Sequence, residues 1–311
     1  MKKINELLHT QYPFIQGGMA NIATGEFAAA SSNAGSLGLI ASGGMDAEAI
    51  RAEVRQCRSL TDKPFGVNIM LMNPDADAIA RMVIEEKIPV VTTGAGNPGK
   101  YMAAWKEAGI IVIPVVSSAI LAKRLAETGA DALVAEGTES GGHVGDITTM
   151  ALVPQVVDAV DIPVIAAGGI ADGRGVAAAY ALGASGIQLG TVLLASDECP
   201  IHPNYKQAIL KARDRSTVVT GKSVGAPVRI IKNRMAKAYL QKEAAGADRM
   251  ELEKFTLGSL RKAVQEGDTD NGSLMAGQIS GLVHEIRPLA EIFRSLDAEA
   301  REVIMKLESQ I

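Results

Sequence analysis

His143 lies inside SGGHVG, flanked by glycines that give it no helical or core role. Imidazole titrates nearest neutrality, so one histidine in a polar, small-residue loop suits proton transfer. His9, His202 and His284 have no comparable setting and read as surface or structural groups. Glu136 and Glu139 flank the His143 loop. Glu136 ends an apolar run and reads as turned into a rim; Glu139 reads as solvated. Asn68 ends another apolar run, where its amide could meet the donor and acceptor edge of a heterocycle or simply cap a strand end. No GxSxG and no Ser–His–Asp arrangement can be read. Cys199 and His202, in CPIHP, could form a metal pair, but no further ligands stand nearby and no metal site is expected. Cys57 and Cys199 are far apart and neither sits in a CxxC, which fits a reduced, cytoplasmic setting.

Glycine-rich loops supply the rest of the chemistry. They are QGGMA (16–20), NIML (68–71), TTGAGNPG (92–99), EGTESGGHVG (136–145), AAGGIADG (166–173) and QLGT (188–191). Each follows or ends an apolar run, so six such loops around one rim predict a large ligand approached by backbone. Loops after strands seven and eight of a barrel often bind phosphate through backbone N–H groups, and AAGGI and QLGT hold those ordinal places. GAGNPG (94–99) matches GxGxxG after a strand. The following strand does not end in the Asp or Glu that a ribose would need, so GAGNPG reads as a tight turn on the rim, in reach of a ligand.

The elements that must position these loops follow from the pattern. Eight short Val- and Ile-rich runs, apolar almost throughout, lie within residues 12–191 and read as strands buried on both faces. Helix-length segments alternate with them. Thr24, Asp46, Asn73, Ser117 and Asp172 read as helix openers, and Gly35, Gly109, Gly129 and Gly183 as closers. Eight successive units predict a TIM (β/α)8 barrel, with an open doubly wound sheet as the alternative. Residues 1–195 are assigned to the barrel, 196–270 to a smaller helical cap, and 271–311 to a covering loop and C-terminal helix packed on the barrel.

Composition excludes several functions. Among 311 residues there are 32 glycines and only 4% aromatics, so the core must be aliphatic. A net charge of −4 argues against nucleic acid. No apolar run approaches the ~20 residues of a membrane span, and the first residues lack the apolar stretch of a signal peptide.

The motifs YPFIQGGMA, DKPFGVNIML, VVTTGAGNP, EGTESGGHVG, IPVIAAGGIADG, QLGT and GSLMAGQISGLV resemble, in order and spacing, those of the FMN-dependent enoyl-acyl-carrier-protein reductases II (FabK-type), close to the nitronate monooxygenases. QGGMA, the GGH loop and AAGGI are common to both groups. GVNIMLM, VVTTGAGNPGKY and HPNYKQAILKARD look more like the reductase branch. The resemblance implies non-covalent FMN. Gly168, Gly169, Gly190 and Thr191 would bind its phosphate. Gly18, Met19 and Asn68 would lie near the ring, with Glu136 and Gly145 in the wall. Met275, Gly277 and Gln278 would close over it, and His143 would be the active-site histidine. It further implies a homodimer, a response to a monovalent cation, and NADH or NADPH as reductant. The implied reaction carries hydride to flavin N5, then to the β-carbon of a 2-enoyl thioester on acyl carrier protein, with His143 or a water protonating the α-carbon. Arg229, Lys232, Arg234 and Lys237 could steer the acidic carrier. Asn21, Val192 and Ala226 depart from residues frequent in such reductases, at positions that bear on cofactor preference and substrate reach. The alternatives are a nitronate monooxygenase using FMN and oxygen, and a flavin-free phosphate-binding sensor.

Overall fold

The computed structural model describes residues 3–310. Eleven strands are present among them: β1 (Phe14–Gln16), β2 (Gly38–Ala41), β3 (Phe65–Met70), β4 (Val90–Gly94), β5 (Ile111–Val116), β6 (Leu133–Glu136), β7 (Gly142–His143), β8 (Val164–Ala167), β9 (Gly186–Leu189), β10 (Thr217–Thr220) and β11 (Val228–Ile231). Eight of them pair in parallel in the order β1-β9-β8-β6-β5-β4-β3-β2. A parallel bridge between Ile15 and Leu37 joins the two ends of that order. The chain is therefore a TIM (β/α)8 barrel, and the open doubly wound sheet is excluded.

The apolar runs explain the barrel. Its strands are buried almost throughout, because one face meets the helices and the other the barrel interior. The interior is filled by Ile15, Leu37, Leu39, Val90, Ile113, Val134, Ile165 and Ala167, joined by Ile4 and Leu8 of the short helix Ile4–Leu8. That helix packs at the N-terminal end of the strands, where a Cβ on Gly186 would run into Ile4. One end of the barrel is thus stoppered with aliphatic side chains, and the chemistry is left to the other.

Thr24, Asp46 and Asp172 cap their helices, accepting from Phe27, Ala49, and Arg174 with Gly175. Two expected openers are displaced. Ser118, not Ser117, caps Ala119–Glu127. Asn73 stands ahead of Ala76–Glu85 and ties its loop to Ser42 and Met45 instead, Pro74 intervening before the helix. Gly35, Gly109, Gly129 and Gly183 all take positive φ at the ends of their helices.

Residues 196–270 are not purely helical. β10 and β11 form an antiparallel hairpin, and β11 pairs in turn with β7. β7 is only two residues long and interrupts the barrel order between β6 and β8, so no periodic signal could announce it. Helices Arg234–Ala244 and Arg249–Thr256 pack on the hairpin through Ile230, Met235, Tyr239 and Leu252. Helix Leu289–Glu308 lies against the barrel helix Gly173–Ala181, and Glu299 accepts the Gly173 N–H at 3.0 Å.

Candidate active site

A cavity of about 530 Å³ opens at the C-terminal ends of the barrel strands, within the ~300–1,000 Å³ range of cofactor and small-molecule sites. Its wall includes Gly18, Met19, Asn68, Glu136, His143, Gly145, Gly168, Gly169, Gly190, Thr191, Met275 and Gly277. The fold thus gathers twelve of the thirteen residues singled out in the sequence, from loops spread over 260 positions. Gln278 is the exception. Its side chain is exposed, and it reaches the site only through its backbone N–H, which donates to Glu139 O at 2.9 Å. Gly94, Ala95 and Gly96 also line the cavity, so GAGNPG is the rim turn expected, with Ala95 and Gly96 at φ 55° and 157°.

Asn68 is held by a residue that pattern alone does not reveal. Thr92, its register partner on β4, donates from Oγ1 to Asn68 Oδ1 at 2.8 Å. This fixes the amide orientation and leaves Nδ2 as donor toward the cavity. Gly18 packs flat against the same side chain, and a Cβ there would run into it.

The turn after β8 brings Gly168 and Gly169 into the left-handed region, φ 89° and 77°, where glycine carries no steric cost. Thr149 ties this turn down, its hydroxyl lying 2.9 Å from Gly168 O and 3.0 Å from Glu139 Oε2. Glu139 is therefore not a solvated group. Both its carboxylate oxygens accept the Thr149 N–H, at 3.0 and 2.9 Å, at the start of helix Thr149–Ala159. Across the site, Thr191 Oγ1 accepts the Gly277 N–H at 2.8 Å, joining the turn after β9 to the late loop. Tyr205 donates to Met275 O at 2.8 Å and anchors that loop from behind. The Met275 sulfur lies near Gly142.

His143 sits on β7, paired with Val228, at the exposed mouth of the cavity. Protein atoms around the ring hold its pKa below the ordinary histidine value, so the neutral imidazole is favoured at neutral pH. Glu136, at the end of β6, alternates with Val134 of the barrel interior and so turns inward. Burial pushes its carboxyl up to about 7, with a smaller opposing pull from the Ser140 hydroxyl. No Lys, Arg, Asp, Cys or Tyr lines the cavity among the described residues. Anionic ligand groups would be met by backbone N–H rather than by side-chain cations.

Arg229 does not belong with the exposed basic residues. It is only 6% exposed, and its Nε and Nη2 donate to Thr138 O at 3.1 and 2.9 Å, with Nη1 on Thr217 Oγ1 at 3.3 Å. β11 alternates like any strand, which turns Arg229 inward to clamp the His143 loop. Lys232, Arg234 and Lys237 remain exposed. His202 caps helix Pro203–Leu210, its Nδ1 accepting from Asn204 N at 3.1 Å, and Cys199 is buried. No group of three or more His, Cys, Asp or Glu side chains is placed to hold a metal ion among the described residues. No helix there is long and apolar enough to cross a membrane.

Comparison with known proteins agrees with this geometry. A FabK structure from Thermotoga maritima superposes with a TM-score of 0.97 at 49% identity, covering 100% of both chains. A (3aS,4S,5R,7aS)-5-hydroxy-7a-methyl-1-oxo-octahydro-1H-indene-4-carboxyl-CoA dehydrogenase of Rhodococcus jostii is 40% identical over 228 residues, 73% of this chain and 65% of that protein. A probable nitronate monooxygenase of Staphylococcus saprophyticus is 32% identical over 350 residues, covering 97% and 98% of the two chains. The nitronate monooxygenase family model matches residues 2–85 and 76–299. With its glycine-walled cavity and its histidine at the mouth of a (β/α)8 barrel, the chain belongs to the nitronate monooxygenase family.

Proposed function

We propose that this oxidoreductase is an enoyl-acyl-carrier-protein reductase, using non-covalent FMN and NADH or NADPH to reduce trans-2-enoyl thioesters. The observation that carries the reading is the match, over the whole of both chains, to the FabK structure. The indene-carboxyl-CoA dehydrogenase among the relatives also acts on a thioester by its name.

The residues present fit FMN. Two left-handed glycines and the turn after β9 offer backbone donors where a phosphate would sit, and Asn68 Nδ2 has no hydrogen-bond partner among the described residues. Gly168, Gly169, Gly190 and Thr191 would hold the phosphate. Gly18, Met19 and Asn68 would flank the ring, and Met275 and Gly277 would cover it. Bound there, FMN supplies hydride transfer between NAD(P)H and the acyl β-carbon.

The chain's own residues do the rest. Neutral His143, at the mouth, donates a ring N–H to the thioester carbonyl and stabilises the charge that develops on it, as a neutral imidazole does best. The Arg229 clamp on Thr138 and the β7–β11 pairing keep that ring in place. Residues 196–270, carrying the hairpin, act as the cap over the mouth, with residues 271–311 as covering loop and outer helix. Lys232, Arg234 and Lys237 steer the acidic carrier protein. A homodimer, a cytoplasmic location and a response to monovalent cations belong to the same proposal.

The competing reading is a nitronate monooxygenase, favoured by the name of the staphylococcal relative. Turnover separates the two. The reductase reading expects NAD(P)H-dependent reduction of crotonyl thioester to butyryl thioester. Consumption of propionate 3-nitronate and oxygen without NAD(P)H, with no butyryl product, would replace it.

A further inference from the structure

We propose that Glu136 is the proton donor of the site: a neutral carboxylic acid, facing the bound reactants, that protonates the acyl α-carbon. This rests on the reductase reading above, which places His143 on the thioester carbonyl, and assigns the α-carbon proton to a separate group.

The argument is one of placement. Glu136 is the last residue of β6, inward-facing, and it lines the cavity. On β8 its register partner is the apolar Ala167; on β5 the ladder ends at Val116, opposite Ala135, with the uncharged Ser117 next in the chain and in the cavity wall. Of the other cavity residues only Glu139 and His143 can titrate. Glu139 is committed to Thr149, and His143 favours its neutral form. Arg229 of the cap is clamped on Thr138 O and Thr217 and does not line the cavity. Ser140 stands near Glu136, but its hydroxyl forms no properly aligned hydrogen bond. A half-buried carboxylate in the cavity wall with neither cation nor N–H donor on it carries a charge that the protein does not compensate, so such a group favours its protonated form. Two acidic groups in one site thus divide: Glu139 is held by Thr149, while Glu136 is protonated and free to react.

The step balances. The β-carbon gains the hydride that NAD(P)H gives up, the α-carbon gains the proton from the Glu136 carboxyl, and the carboxylate left behind recovers a proton from water. The C=C bond is reduced, NAD(P)H is oxidised to NAD(P)+, and one solvent proton is consumed.

The test uses the full chain and Glu136→Gln, which keeps shape and neutrality but has no acidic proton. In wild type, the single-turnover rate of crotonyl-thioester reduction should fall as pH rises through neutrality. E136Q should lose on the order of 100-fold in that rate, the scale of general-acid catalysis, and lose the falling limb with it. Infrared difference spectra of the ligand-free proteins provide a readout apart from activity. Wild type at pH 6 should show a protonated-carboxyl C=O band that E136Q lacks. An E136Q rate within about threefold of wild type, well short of a general-acid loss, or an intact limb, overturns the proposal. So does a missing band. Failure of the wild type to reduce the thioester overturns the reductase reading instead, and the infrared band still reports the protonation of Glu136.

Discussion

Thr191 offers a test of how the cavity is held closed. Its hydroxyl accepts the Gly277 N–H at 2.8 Å, and both residues are buried in the cavity wall. Thr191→Val keeps the side-chain shape and deletes the acceptor. The Gly277 N–H is then left enclosed without a partner, which costs about 1–3 kcal/mol. For a large domain each kcal/mol moves the melting temperature by roughly 2 °C, so T191V should melt about 2–6 °C below wild type. Because the late loop lines the cavity, FMN affinity should fall as well, and further if the Thr191 O–H itself donates to the phosphate. Thr191→Ser, which retains the hydroxyl, should recover most of both losses. Calorimetry on the ligand-free proteins and fluorescence titration with FMN read the two effects separately. A T191V protein that melts within about 1 °C of wild type and binds FMN equally well would refute the reasoning, because an orphaned buried donor cannot be that cheap.

Other substitutions report on neighbouring links. Arg229→Met removes two hydrogen bonds to the His143 loop and one to Thr217 of β10, and urea unfolding should show a loss on the order of 2–4 kcal/mol, with Lys restoring only part because it lacks the planar fork. Thr92→Val frees the Asn68 amide and should weaken FMN binding about fivefold, equivalent to ~1 kcal/mol, by titration calorimetry. Glu136 predicts a pH dependence of stability. Its folded pKa is raised from 4.5 to about 7, so its contribution is fully present below pH ~4.5 and is lost as pH rises through ~7. Relative to E136Q, the ligand-free wild type should therefore lose stability by about 3 kcal/mol between pH 4 and pH 8. Parallel melting curves for the two proteins across that range would contradict the assignment.

The barrel was legible because strands buried on two faces leave unbroken Val and Ile runs, and because left-handed glycines close its helices. The loops were legible because backbone that approaches a ligand excludes side chains. Other features left no periodic trace. β7 is two residues long and is defined only by its partner β11. Arg229 reads as one member of a basic stretch until the hairpin turns it inward. Thr92 and Thr149 are ordinary threonines in sequence, and only the register of β4 and the fold of the 137–149 loop place them against Asn68 and Gly168. Gln278 lies beside a wall residue, but it opens the 3-10 turn Gln278–Leu282 with its side chain exposed. Local pattern shows where backbone must be bare; long-range pairing decides which polar groups hold it.

The most direct test of the central claim is an anaerobic spectrum of the purified protein reconstituted with FMN, followed through two additions. The flavin band should bleach when NADH or NADPH is added, and return when crotonyl thioester follows, in equal stoichiometry. A protein that takes up no FMN, or whose bleached flavin ignores the thioester and recovers only with oxygen, would contradict the account.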